Sequence, residues 1–231
     1  MDTYISDKSV NALVRELFGV EIGEATPEQI PALDEATEAY FNAEGGCPKV
    51  YSSCVKVIEK LGSEMGKGKK VLDLGCGTGN DAPAFITAGF DYTGIDRAEI
   101  PIITARKYAP KGRFIKMDMR QMTFEDDSFD CLWVHGVFGY IPPEEVLSVM
   151  KKMGRILRPG GLAFISAPVL CNSGSHRVFQ WKDVRSVFRK PILGVKWSLP
   201  VFTDYLYRSG IEVKTTFEVK DGLFLIGRSR K

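Results

Sequence analysis

The stretch that decides the fold is "VLDLGCGTGN", residues 71–80. An apolar run from Val71 to Leu74, broken by Asp73, passes directly into Gly75, Gly77 and Gly79. Short apolar runs of this kind read as buried strands of a parallel sheet. The glycines read as a turn whose backbone takes positive φ and approaches a ligand closely. The dinucleotide fingerprint G-x-G-x-x-G places its third glycine one position later, where this chain has Asn80. A carboxylate at Asp73 would also oppose a pyrophosphate held at a helix N-terminus. It suits a ligand that carries a positively charged amino group.

The same rhythm extends downstream. "DAPAFITAG" reads as a helix closed by Gly89, "DYTGID" as a second strand, 98–109 as a helix and "GRFIKMD" as a third strand. "FDCLWVHG" is a fourth strand, 143–157 a helix, and "RPGG" turns the chain into a fifth strand, "LAFISAP". Strands alternating with helices imply right-handed crossovers and a mostly parallel sheet. A helix near 200–209 ends at Gly210, and two further strand-like runs are joined by Asp221-Gly222. Asp-Gly is a strong two-residue hairpin signal, so an antiparallel hairpin closes the sheet.

Upstream, Val10, Leu13, Val14, Leu17 and Phe18 recur at helical spacing. Thr26, Pro27 and Gln29 stand in capping register for a second helix, which Gly45 and Gly46 stop. Residues 49–61 make a third, with Val50, Cys54, Val57, Ile58 and Leu61 on one face. The expected organisation is an N-terminal helical cap over 1–62 on a ligand-binding domain over 63–231, with an insert or lid at 169–199, as one unit.

Bulk properties exclude some classes. The 231 residues are 44% hydrophobic and 26% charged, with a net charge of +2. There is enough apolar material for a full core, and no global electrostatic case for nucleic acid. No apolar run approaches the roughly 18 residues of a membrane helix. The N-terminus carries acids and lacks an apolar signal core, so the expected location is the cytoplasm. The five cysteines are scattered without a CxxC pair, beside only two histidines, His135 and His176. Neither a disulfide framework nor a metal site is expected from that spacing.

The glycine turn and its preceding acid closely resemble the first motif of the class I S-adenosylmethionine-dependent methyltransferases. The resemblance runs from Lys70 to Arg228 and includes "LRPGG" at Leu157–Gly161 and the terminal hairpin. It implies an α/β fold: a Rossmann-like, doubly wound, seven-stranded sheet, mostly parallel with a C-terminal antiparallel β-hairpin. It further implies S-adenosyl-L-methionine as cofactor and S-adenosyl-L-homocysteine as product. Asp73 and the loop Gly75, Cys76, Gly77, Gly79 and Asn80 would surround the methionine part. Asp96, with Arg97 beside it, would accept the ribose hydroxyls. Asp118 would face the adenine amino group with Met119 nearby, although an Asp there also reads as a turn cap.

Methyl transfer from a sulfonium needs alignment of an acceptor and exclusion of water. His135 follows "LWV" at the carboxyl end of the fourth strand, where ligands bind in open α/β sheets. It reads equally as a base or acceptor-positioning residue and as a histidine packed beside the cofactor, and no triad partner is visible in sequence. Tyr140 is a second catalytic candidate, and Phe138 is expected against the cofactor or acceptor pocket. Tyr40, Phe41 and Tyr51 read either as acceptor-site or as core aromatics.

Segment 169–199 mixes Arg177, Lys182, Arg185, Arg189, Lys190 and Lys196 with Phe179, Trp181, Phe188 and Trp197. This reads as a helical lid in preference to a nucleic-acid surface. A small-molecule acceptor, anionic in keeping with those cations, is the leading expectation, on a monomer or homodimer. An RNA or protein methyltransferase and a non-catalytic cofactor-binding protein stand as alternatives.

Overall fold

A computed structural model of the chain describes residues 20–24, 52–167, 169–170, 176–183, 192–219 and 222–231. The helices expected over 7–18 and from Thr26 to Gly45, and Tyr40, Phe41 and Tyr51, lie outside the described residues. In chain order, β1 (Val20–Glu24) and α1 (Ser52–Met65) precede β2 (Lys70–Leu74), α2 (Ala82–Thr87) and β3 (Asp91–Asp96). Then come α3 (Glu99–Tyr108), β4 (Arg113–Lys116), β5 (Phe129–Val134), α4 (Pro143–Ile156) and β6 (Leu157–Ala167). The chain continues through β7 (Val169–Leu170), β8 (His176–Asp183), β9 (Ile192–Ser198) and α5 (Leu199–Arg208), and finishes in β10 (Ile211–Val219) and β11 (Gly222–Ser229).

Seven strands form the main sheet in the order β10-β11-β6-β5-β2-β3-β4. The β2–β3, β3–β4, β2–β5 and β5–β6 pairs are parallel. Strand β11 is antiparallel to β6 and β10 antiparallel to β11, so β11 alone runs against the rest. The chain winds from β2 to β3 and β4 on one side, then crosses to β5 and β6 on the other. The order therefore reverses between β2 and β5, and a crevice opens at their carboxyl ends.

The apolar runs form these strands because both faces are covered. All six residues of β5 are buried. Leu72, Leu74, Leu132 and Val134 pack with Val146, Met150 and Met153 of α4 and Phe202 and Leu206 of α5. Val71, Cys131 and Trp133 pack on the other face with Ile58 of α1, Phe85 of α2 and Ile102 of α3. The period-2 alternation of the strands is thus matched by helices on both sides, which makes the sheet doubly wound.

Three details differ from the sequence reading. The "RPGG" segment is not a separate turn. Phe129 pairs with Leu157 and Cys131 with Leu162, so Arg158–Gly161 bulge opposite Asp130, with Gly160 at φ 70°. The described part of 169–199 is strand, not helix. Strands β8 and β9 pair antiparallel and join β1 and β7 in a second sheet of order β1-β8-β9-β7. Finally, the N-terminal segment is not a purely helical cap, because Val20–Glu24 is a strand paired with β8. The C-terminal hairpin is present with Val219 opposite Gly222, so Gly222 belongs to the strand; Lys220 and Asp221 lie outside the described residues.

Candidate functional site

A cavity of about 390 Å³ opens at the crevice. Its walls come from the ends of four parallel strands: Asp73, Gly75 to Thr78, Asn80 and Asp81 at and after the end of β2, Asp96 and Arg97 at the end of β3, Met117 to Arg120 after β4, and His135 to Val137 after β5. Tyr140 and Ile141 complete it. The expected cofactor residues Asp73, Gly75, Cys76, Gly77, Asn80, Asp96, Arg97, Asp118, Met119 and His135 all line it, as does Tyr140.

Gly79 does not. A Cβ there would stand 3.0 Å from Phe114 Cε1 and 3.1 Å from Ala105 Cβ. Its smallness lets the loop pack on α3 and β4; it does not admit a ligand. Phe138 is also absent from the cavity. It is fully buried and packs edge-on against Phe202 at 5.1 Å, under α5.

The glycine loop is held from β3. The Gly75 and Cys76 amides both donate to Ile95 O, at 2.8 and 2.9 Å. The Gly77 amide donates to Asp96 Oδ2 at 3.0 Å, and the Ala98 amide to Oδ1 at 2.8 Å. Asp96 therefore fastens the loop after β2 to the loop after β3. Burial raises its carboxyl above the usual range against these two amide bonds. Gly75, Gly77 and Gly79 all take positive φ, of 76°, 52° and 75°. A Cβ on Gly77 would meet nothing within 4 Å, so the backbone itself faces the open cavity there.

Asp73 lies at the floor, 3% exposed, and accepts a hydrogen bond from Tyr92 OH at 2.7 Å. Burial and the nearby Asp81 push its carboxyl up to about 8. An anion so placed is under-compensated, and a cationic ligand group would relieve it. The donor set therefore fits a sulfonium-bearing amino acid and disfavours a pyrophosphate. Asp118 caps the 3₁₀ turn Met119–Gln121, accepting from the Arg120 amide at 2.8 Å, and pairs with the Arg120 guanidinium at 2.6 Å. These bonds outweigh burial and hold its carboxyl below the usual range. The capping reading of Asp118 thus holds, on a residue that also faces the cavity.

His135 has the partner that the sequence did not show. Its Nδ1 lies 3.3 Å from Asp81 Oδ2, 54 positions away, and 3.8 Å from Cys54 Sγ. Asp81 precedes α2 but makes no side-chain cap bond; its carboxylate instead accepts from Trp133 Nε1 at 2.8 Å. Burial would lower the His135 pKa, but the hydrogen bonds with Asp81 and Cys54 carry it up to about 10. A ring that stays protonated at neutral pH is a poor general base, which weighs against that part of the sequence reading. Asp81, Cys54, Trp133 and Arg120 were not visible as site residues. The one available signal was an Asp at a helix start whose side chain could turn away from the cap.

The comparisons with known proteins agree with this geometry. Residues 71–161 match the family model described as a methyltransferase domain. A stretch of 109 residues is 35% identical to a ubiquinone biosynthesis O-methyltransferase of Actinobacillus pleuropneumoniae, covering 43% of this chain and 45% of the relative. A stretch of 121 residues is 31% identical to a sterol 24-C-methyltransferase of Aspergillus fumigatus, covering 48% of this chain and 32% of the relative. The matches span less than half the length of these curated relatives. The fold is similar over 99% of this chain and 98% of the other to the Burkholderia thailandensis 1,6-didemethyltoxoflavin-N1-methyltransferase, solved with 1,6-didemethyltoxoflavin and S-adenosylhomocysteine. The TM-score is 0.70 at 18% identity. With the loop, the switch-point cavity and the lone reversed strand already in place, the chain carries a match to the methyltransferase domain over residues 71–161 and shares the fold of an S-adenosylhomocysteine-bound methyltransferase.

Proposed function

We propose that the protein transfers a methyl group from S-adenosylmethionine to a small-molecule acceptor. The observation that carries this reading is the buried Asp73 at the floor of the cavity beneath a positive-φ glycine loop, which Asp96 fastens across the switch point. When bound, S-adenosylmethionine supplies a methyl group on a sulfonium, an already activated leaving group. Asp73 and the loop from Gly75 to Gly77 would hold its amino-acid end. Asp96 uses one lone pair on each oxygen for the loop amides, which leaves the others for ribose hydroxyls. Met119 and Asp118 would flank the base.

His135, oriented by Asp81, and Tyr140 are the residues proposed to meet the acceptor. An anionic acceptor, a monomeric or homodimeric state and a cytoplasmic location belong to the same proposal. The buried thiols of Cys54, Cys76 and Cys131 suit a reducing compartment. Among the described residues, no helix is long and apolar enough to cross a membrane.

Thermal denaturation tests the cofactor. S-adenosylmethionine or S-adenosylhomocysteine at 100 times its dissociation constant should stabilise the fold by about 2.7 kcal/mol, whereas NAD should not. No shift at millimolar cofactor refutes the reading. Asp96→Ala should weaken cofactor binding; unchanged affinity removes Asp96 from the site. A screen of phenols, amines, acids and thiols for S-adenosylhomocysteine release then separates an enzyme from a protein that merely holds the cofactor.

A further inference from the structure

We infer that Cys54, Asp81 and His135 form a binding site for a zinc-class divalent cation at the wall of the candidate cofactor cavity. The three residues come from α1, from the residue before α2 and from the loop after β5. Their ligand atoms all lie within 4.8 Å of one another. His135 Nδ1 is 3.8 Å from Cys54 Sγ and 3.3 Å from Asp81 Oδ2. Tetrahedral zinc bonds of about 2.0–2.1 Å to nitrogen or oxygen and about 2.3 Å to sulfur put donors about 3.3–3.5 Å apart. Two pairs are already close to that spacing, and a movement of about 1 Å brings the third to it.

A catalytic triad does not account for the arrangement. A relay uses the two ring nitrogens separately, one toward the nucleophile and one toward the orienting acid. Here the thiol and the carboxylate both meet Nδ1. An Nδ1–H points at only one of the two, whereas a cation among the three meets all three ligand atoms at once. A thiolate, a carboxylate and a neutral imidazole also balance a divalent charge, which matters where Cys54 is 2% and Asp81 8% exposed. Sulfur and imidazole donors select zinc-like ions over magnesium or calcium. The Trp133 Nε1–H bond to Asp81 Oδ2, at 2.8 Å, supplies the outer contact that orients a ligating carboxylate.

Cys54 does not line the cavity, whereas Asp81 and His135 do. The fourth coordination position therefore opens toward the cavity, as in zinc sites that work on a ligand. The group it would take is a hydroxyl or thiol of the acceptor. On coordination the heteroatom–hydrogen bond breaks, the proton passes to solvent, and a cation–heteroatom bond replaces a cation–water bond. This acceptor assignment rests on the proposed function; the cation site does not.

The test uses the full chain, stripped with a chelator and kept reduced without added thiol. It is titrated with Co²⁺ followed by absorbance, and with Zn²⁺ against a chromophoric chelator. Expected are one ion per chain, a near-ultraviolet thiolate-to-cobalt band and the intense visible bands of four-coordinate cobalt. Cys54→Ser should abolish the near-ultraviolet band and weaken Zn²⁺ binding at least about 100-fold, and Trp133→Phe should weaken it about 10-fold. His135→Gln, on the more exposed side, carries the comparison if Cys54→Ser does not fold. No stoichiometric binding by the wild type, or a thiolate band that survives Cys54→Ser, overturns the inference. Loss of cation binding with the S-adenosylhomocysteine thermal shift intact refutes this site alone. Cation binding without that shift refutes the proposed function alone.

Discussion

Gly75→Ala probes the join between the glycine turn and the cavity wall, and its cost can be worked from two separate terms. Gly75 holds φ at 76°. An L residue in that region loses about 1–2 kcal/mol. The added Cβ would also stand 2.5 Å from Val137 Cγ2 and 3.2 Å from Cγ1. Overpacking of that kind costs about 1–3 kcal/mol, so the expected loss is about 2–5 kcal/mol. Gly77→Ala is the internal control. It carries the φ term alone, because its Cβ meets nothing within 4 Å, and should cost about 1–2 kcal/mol. Val137→Ala should remove the steric term. In a double-mutant cycle with Gly75→Ala it is expected to return about 1–3 kcal/mol as coupling energy. Urea denaturation followed by circular dichroism measures the wild type and all four variants, and calorimetry with S-adenosylhomocysteine reads the site. The Gly75 amide bonds Ile95 O at 2.8 Å, so a displaced turn should also weaken cofactor binding. Equal losses for Gly75→Ala and Gly77→Ala, or a cycle without coupling, would refute the reasoning.

Two further outcomes follow from single residues. Asp73 binds its proton up to about pH 8 in the folded protein, against 3.8 for the free side chain. The folded chain thus holds one more proton than the unfolded chain between those values, and this group's contribution to stability falls as pH rises through that window. Asp73→Asn should flatten the decline in unfolding free energy measured from pH 5 to 8, and an unchanged slope would show that Asp73 is ionised in the fold. A cationic cofactor should release that proton, so wild-type affinity should rise toward pH 8. Gly154 lets α4 pass the end of α5, since a Cβ there would fall 1.7 Å from Ser209 O. Gly154→Ala should cost about 3 kcal/mol or more, and a denaturation midpoint within error of wild type would contradict the crossing.

The strand-and-helix order from Val71 onward was legible because each element carries its own period. Full burial of β5 shows as a continuous apolar run, and α4 shows its Val146, Val149, Met150 and Met153 stripe at helical spacing. The reversed strand was legible because a hairpin is a local event. The insert was not: Phe179, Trp181, Val195 and Trp197 satisfy a helix-face or a strand-face reading about equally in a basic segment, and the partner β1 lies far away in sequence.

The sequence by itself determined that a glycine loop follows a buried strand, and that acids stand at the ends of the next strands. These are short-range facts, since a strand end and the turn after it are neighbours on the chain. Only the tertiary structure decided what those residues touch. It turned Gly79 into a packing contact with Phe114, bound Asp118 to Arg120, and placed Phe138 under α5. It also gave His135 its two partners, Asp81 at 54 positions and Cys54 at 81. No spacing rule spans such separations, because the distance between these side chains is set by how the helices pack on the sheet.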